Sequence, residues 1–285
     1  MIRTDLVIES FDAKKLDENG GIRQKEEEFG GIKITRVSIE SEEGERRTGK
    51  PKGDYVTVQV PPLGENPGHS DEETEKIAGE LAKLLPETGD VLVAGLGNAG
   101  ITPDAVGPLT CEKVIATRHL PPDFAGTVGI SSLRGVAVLA PGVLGQTGIE
   151  TAEILASVCQ RIRPACVVAI DALAARDAER LGTTLQFAST GIFPGSGVQN
   201  RRAEISLRTL GVPVVSIGVP TVIDIRTVLH QLGAGEKALG NPGSTMVVTP
   251  QDVDLIVAHA AGILGLVINR ALQPGLGLGD IAALM

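Results

Sequence analysis

The sequence predicts an α/β protein: a mostly parallel, twisted sheet sandwiched by helices, with a small extra β element near the N-terminus. Three observations carry this. Short apolar runs at 91–95, 136–140, 165–170 and 212–219 have strand length and contain Ser216 as their one polar residue, as strands buried on both faces do. Segments with helical spacing or helix-start signals lie between them, giving the β, α, β order that parallel sheets require. The composition is 42% hydrophobic but only 2% aromatic, with 36 Gly and 17 Pro. Such a chain builds its core from Val, Ile, Leu and Ala and turns often. At 285 residues it fits one domain, read here as 1–285.

Taken in order, residues 1–30 are polar and acidic and read as an irregular, flexible lead-in. Ile32 and Ile34 alternate with polar residues, then Val37 and Ile39 do so in the opposite parity, which predicts a bulge or break. Val56, Val58 and Val60 alternate cleanly. The expectation is two strands within 32–60, joined by an exposed charged loop and standing outside the main sheet. Ser70 followed by Glu73 spells a capping box. Ile77, Leu81, Leu84 and Leu85 then share one helical face until Pro86 and Gly89 end it. After the strand 91–95, Thr102 caps a helix with Pro103 in its first turn. Thr147 and Glu150 spell a second capping box for a helix to about Arg163. Residues 183–187 read as a short strand, 189–200 as a Gly-rich loop, and 203–210 as a helix. The last long helix starts at 249–252 and runs to about Ala271.

Charge and cysteines narrow the function. A net charge of −9 and a pI near 5.1 argue against a nucleic-acid binder, which carries a basic face, and fit a cytoplasmic enzyme. Cys111, Cys159 and Cys166 are odd in number and sit in apolar contexts, as reduced core residues do. The N-terminus shows no apolar signal region. The longest apolar stretch, 255–268, is shorter than the ~20 residues of a membrane span and reads as a buried helix. No membrane association is expected.

Two aspartates are the leading chemical candidates. Asp104 follows the strand 91–95 and Asp171 follows 165–170. In an open parallel sheet the carboxyl ends of strands meet at one edge, where ligands bind. A carboxylate pair there shares a proton and can run acid/base chemistry on water. Each also has a plain structural reading, Asp104 as a helix-start acid and Asp171 as a cap for Ala172 onward. Backbone N–H groups near Asn98 and Gly142 are candidate oxyanion donors. His119 is a candidate substrate or metal ligand, and Arg201 a candidate grip for an acidic group. Gly95-Leu-Gly97-Asn-Ala-Gly100 spells GxGxxG, but Pro103 places the helix start after the third glycine and no acid follows ~20 residues on, so it is a weak dinucleotide signal. No serine-nucleophile elbow or HExxH helix is present.

These segments together resemble the germination protease family of spore-forming bacteria. The resemblance is carried by Gly95-Leu-Gly-Asn with Thr102-Pro-Asp-Ala-Val-Gly-Pro108, by Thr117-Arg-His-Leu120, and by Ala140-Pro-Gly-Val-Leu-Gly-Gln-Thr-Gly-Ile-Glu-Thr151. It continues through Ala169-Ile-Asp-Ala-Leu-Ala-Ala-Arg176, Gly191-Ile-Phe-Pro-Gly-Ser-Gly197, and Gly211-Val-Pro with Gly218-Val-Pro-Thr-Val-Ile-Asp224. It implies a fold similar to hydrogenase-maturation endopeptidases and other phosphorylase/hydrolase-like proteins. It implies an atypical aspartic endopeptidase, with Asp104 and Asp171 as the catalytic pair and no cofactor, that degrades small acid-soluble spore proteins in the cytoplasm of the spore core. It further implies a homotetrameric zymogen that trims itself at Asp5–Leu6, making 1–5 a prosegment. Two other functions stay open at this point. One is a metal-dependent endopeptidase using Asp104, Asp171 and His119; the other is a phosphate or nucleotide binder using the glycines at 95–100 and 195–197.

Overall fold

One sheet organises the molecule, and the strands on it explain where the aspartates fall. The computed structural model describes residues 4–11, 21–65, 70–121, 123–127, 132–195, 202–233 and 246–285. Among these, the strands are β1 (Ile22–Phe29), β2 (Ile32–Ile39), β3 (Gly53–Gln59), β4 (Val91–Gly95), β5 (Val136–Leu139), β6 (Cys166–Ala175), β7 (Thr184–Ala188), β8 (Val214–Asp224) and β9 (Val247–Val248). Their order is β1-β2-β3-β7-β8-β6-β4-β5, with β9 on β8. The expected parallel sheet is the β8-β6-β4-β5 half. The other half and β9 pair antiparallel.

The helices are α1 (Glu42–Thr48), α2 (Asp71–Ala82), α3 (Val106–Cys111), α4 (Phe124–Thr127), α5 (Leu144–Thr147), α6 (Thr151–Ile162), α7 (Leu207–Leu210), α8 (Ile225–Gln231), α9 (Val253–Leu272) and α10 (Leu278–Leu284). They cover both faces. On one, Val91, Val93, Val168 and Ile170 pack with Ile77 and Leu81 of α2 and Val257, Leu264 and Ile268 of α9. On the other, Leu92, Ala94, Val167 and Ala169 pack with Leu155 and Cys159 of α6. Alternate residues of β4 and β6 thus enter different cores, which is why their sequences are continuously apolar. By length and composition α9 could cross a membrane, but Ile256, Val257, Ala260, Leu264, Val267, Ile268 and Leu272 are buried in the protein core. All three cysteines are buried and free.

Several expectations are corrected. Residues 22–29 form strand β1, not a lead-in. It is an edge strand with only Ile22 buried, and its charges suit an edge exposed to water. Glu27 accepts from Arg36 (2.7 Å) and pairs with Lys76, while Arg36 also grips buried Glu80 of α2 (2.6 and 2.8 Å), tying the edge to the helix layer. The 32–60 element does not stand apart, because β3 pairs with β7 and extends the main sheet. No bulge separates Ile34 from Val37, since the register with β1 and β3 is unbroken. The parity changes because β2 leaves one core for another: Ile32 and Ile34 join the α2–α9 side, Val37 and Ile39 a cluster with Val7 and Tyr55. The charged loop contains α1, capped by Ser41 Oγ accepting from Gly44 N. Thr147 closes α5 rather than opening α6, whose N-cap is Glu150. Helix 203–210 shrinks to α7, because Ile205 bridges to Ile192 instead.

Gly107 sets how closely α3 sits on the sheet. A Cβ there would lie 2.3 Å from the Leu96 carbonyl oxygen and 2.5 Å from that of Ile170, atoms of two chain segments that cannot both move. Gly107→Ala is expected to lower stability by about 1–3 kcal/mol, measured by urea denaturation; an unchanged midpoint would contradict this close approach.

Candidate active site

The site forms where β4 stops and β6 does not. The last β4 pairing is Gly95 with Ile170, and Leu96 N donates to Ile170 O (2.7 Å). The chain then turns away at Gly97, whose φ of +106° suits only glycine, with Asp104 O packed where a Cβ would be. Pro103 and Asp104 lie in a 3₁₀ turn, Thr102–Asp104, that leads into α3. Thr221 Oγ1 on β8 donates to Pro103 O (2.7 Å), fastening that turn to the sheet. Meanwhile β6 continues to Ala175. Asp171, expected at a strand end, is instead an internal residue just past the end of its neighbour.

Both aspartates line one cavity of about 410 Å³, together with Leu96, Asn98, Ala172 and Val247. Asp171 is only 5% exposed, and its Oδ1 accepts from Ala172 N (2.9 Å). Burial pushes its carboxyl well above the usual aspartate range, and the negative charges of Asp104 and Asp5 push further, against the Ala172 N–H. Asp104 is half-buried; burial raises it too, opposed by the Asn98 N–H, which donates to its Oδ2 (2.8 Å). Both carboxyls are raised, Asp171 the more strongly, so protonation of the pair favours Asp171.

The other candidates divide. Asn98 is in the cavity, but its N–H is committed to Asp104 and its Oδ1 accepts from Gly100 N and Gln146 Nε2. It holds the Asp104 carboxylate, and its N–H is already engaged there rather than open to an oxyanion. Gly142 stands beside the cavity wall; its carbonyl accepts from Thr151 Oγ1 (3.1 Å), and the wall itself is Val143, Leu144 and Gly145. His119 is a correction. It is exposed and follows Arg118, whose N donates to Val136 O at the start of β5, the opposite sheet edge from the aspartates. The ligand set Asp104, Asp171 and His119 is not assembled, and among the described residues no three His, Cys, Asp or Glu side chains gather to hold a metal ion. Arg201 lies outside the described residues; its neighbour Arg202 lines the cavity and is exposed. The GxGxxG glycines serve packing: a Cβ on Gly95 would strike Gly107 O at 2.3 Å.

The N-terminal residues are not a flexible lead-in. Asp5 lines the cavity, and Leu6 is fully buried against Leu173, Ala175 and Ile223. Asp5 N donates to Ala174 O (2.9 Å), and Ala174 N donates back to Asp5 Oδ2 (2.8 Å). Glu9 Oε2 and Oε1 accept from Arg176 N and Asp177 N (2.8 and 2.9 Å). The free end of β6 is thus occupied by the chain's own start.

Comparison with known proteins gives the family. The sequence profile described as Germination protease matches residues 3–232. The chain belongs to the germination protease family. It is 43% identical to a germination protease of Caldanaerobacter subterraneus over 96% of this chain and 95% of that protein. It is 39% identical to one of Clostridium tetani, over 98% of both, and 45% identical to one of Bacillus velezensis, over 80% of this chain and 65% of that protein. Among solved structures, a NiFe hydrogenase maturation protease, HycI, of Thermococcus kodakarensis aligns with a TM-score of 0.38 and 16% identity over 66% of this chain and 98% of that one. Peptidase membership therefore rests on sequence, and both aspartates fall inside the matched span.

The pKa direction gives a stability test. Because Asp171 is raised in the folded state, its burial costs nothing below the unfolded value near 3.8. The cost grows as pH rises through the folded pKa. Asp171→Asn removes that cost, so the variant should melt above the parent protein at pH 8, with the gap closing toward pH 4. A gap that does not change with pH would show that Asp171 carries no raised pKa.

Proposed function

We propose that this protein is an endopeptidase that initiates breakdown of small acid-soluble spore proteins during germination, with Asp104, Asp171 and one water as its chemical machinery. The observation that supports this best is the shared cavity: two carboxyl groups raised by burial, Asp171 well above the usual aspartate range and Asp104 opposed in this by the Asn98 N–H. Asp104 takes a proton from water as the water oxygen bonds to the scissile carbonyl carbon. Asp171 donates its proton to the carbonyl oxygen. As the C–N bond then breaks, a proton passes to the leaving nitrogen, and the pair returns to one shared proton. General acid/base steps of this kind contribute roughly 10²–10⁴-fold each.

The substrate reading follows the chain's own start. Asp5 then Leu6 presents an acid followed by a bulky apolar residue next to the aspartates, and the proposed self-trimming cuts between them, so 1–5 is the prosegment. Substrate chains are flexible and carry the same order of residues, with exposed Arg202 at the cavity rim available to an acidic side chain. A homotetramer in the cytoplasm of the spore core completes the proposal.

Incubation with a purified small acid-soluble spore protein, followed by sequencing of fragments, tests the reading. Cuts after Glu or Asp and before a large apolar residue are expected. Asp104→Asn and Asp171→Asn should each lower kcat at least ~100-fold while keeping the parent circular dichroism spectrum. Parent-level cleavage in either variant would overturn the mechanism, and activity lost to a chelator and restored by a metal ion would replace it with a metal-dependent one.

A further inference from the structure

We infer that Lys50 and Gln186 form the binding site for the carbonyl oxygen of the scissile peptide bond, and that the chain's own Asp5–Leu6 bond occupies this site in the structure. The inference deepens the endopeptidase reading and rests on it. Two donors converge on the Asp5 carbonyl oxygen: Lys50 Nζ at 3.0 Å and Gln186 Nε2 at 3.2 Å. Lys50 Nζ also donates to Thr4 O (2.9 Å). Gln186 Oε1 accepts from Val7 N (2.7 Å). One glutamine thus holds the backbone on both sides of the 5–6 bond.

Gln186 is a costly residue for its place. It is 8% exposed, between Leu185 and Phe187, which are fully buried. A buried amide must have partners, and the hydrogen bonds of this one go to Asp5 and Val7 of the N-terminal segment. Lys50 brings a charge to the same point. Burial lowers its ammonium from the usual lysine range, while Asp5 and Glu9 oppose that. An ammonium placed against two carbonyls, rather than a carboxylate, stabilises negative charge on an amide oxygen better than it stabilises a resting amide.

The segment around the bond is seated residue by residue. The Asp5 carboxylate takes the Ala174 N–H, Leu6 fills the apolar pocket of Leu173, Ala175 and Ile223, and Glu9 takes the N–H groups of Arg176 and Asp177. Those seats read side chains: acid, apolar, two further residues, acid. Lys50 and Gln186 touch only backbone in residues 4–7, which every peptide shares. Asp5 also lines two cavities, the one holding Asp104 and Asp171 and a neighbouring one lined by Lys50, Tyr55 and Gln186. When water bonds to the carbonyl carbon and gives a proton to Asp104, the C=O electron pair moves onto the oxygen facing Lys50 and Gln186, which takes the proton of Asp171. When the C–N bond breaks, C=O reforms as that proton returns to Asp171, and the Leu6 nitrogen takes the proton held by Asp104.

The test uses the full chain and a synthetic peptide containing Thr-Asp-Leu-Val-Ile-Glu. Lys50→Met should lower kcat about 100-fold with KM changed less than about threefold, and Lys50→Arg should recover part of the loss. Gln186→Leu should lower kcat and also raise hydrogen exchange at the Val7 amide at least about tenfold. Mass spectrometry should find the Asp5–Leu6 bond intact longer in both loss variants. Parent kcat in Lys50→Met, or a loss confined to KM, would overturn the assignment. If the parent protein cleaves no peptide at all, the endopeptidase reading itself fails; unchanged Val7 exchange in Gln186→Leu would instead remove the clamp.

Discussion

A carboxyl group held in the protein interior beyond the end of a neighbouring strand is the constraint on which the site depends. Asp171 sits on β6 one residue past the last β4 pairing, so its side chain is inside the sheet layer yet faces open volume. Asp171 is buried there, and a second carboxyl group, Asp104, lines the same cavity. A low-dielectric site makes the ionisation of one group strongly dependent on the other. The proposed division into acid and base rests on that coupling, not on any difference in residue type. Gly97, Gly107 and Thr221 matter because they bring the 3₁₀ turn close enough for Asp104 to take part.

The same strand that carries Asp171 also offers, past the end of β4, a backbone edge that β4 does not pair. Residues 5–9 fill it with side-chain carboxylates rather than with a regular ladder. The first of these acids, Asp5, adds negative charge next to Asp171. The Asp5 carboxylate that accepts from Ala174 N is thus also one that helps raise the Asp171 carboxyl. The buried apolar seat of Leu6 supplies the orientation.

Much of this was legible in the sequence, for reasons that can be stated residue by residue. Asp104 and Asp171 each follow an apolar run, and a residue after a parallel strand goes to the carboxyl edge. His119 precedes β5, so the same rule sends it to the other edge; its ionisable side chain outweighed its position in the sequence reading. Strand β1 was hidden because an edge strand in water needs charges, and Glu26, Glu27 and Glu28 look like a solvated arm. The parity switch in β2 looked like a break because local alternation does not reveal that a strand passes between two cores. The docking of Asp5 and Glu9 depends on atoms 169 and 167 residues away in sequence, at Ala174 and Arg176, and no local pattern encodes it. Lys50 and Gln186 were unremarked for the same reason: their partners are backbone atoms.

The most direct measurement of the central claim is a carbon-13 NMR titration of the two aspartate carboxyl carbons between pH 3 and 9. The account predicts coupled curves, with Asp171 staying protonated well above the usual aspartate range and Asp104→Asn shifting its midpoint downward. Two independent titrations, both near 3.8 and indifferent to that substitution, would contradict it.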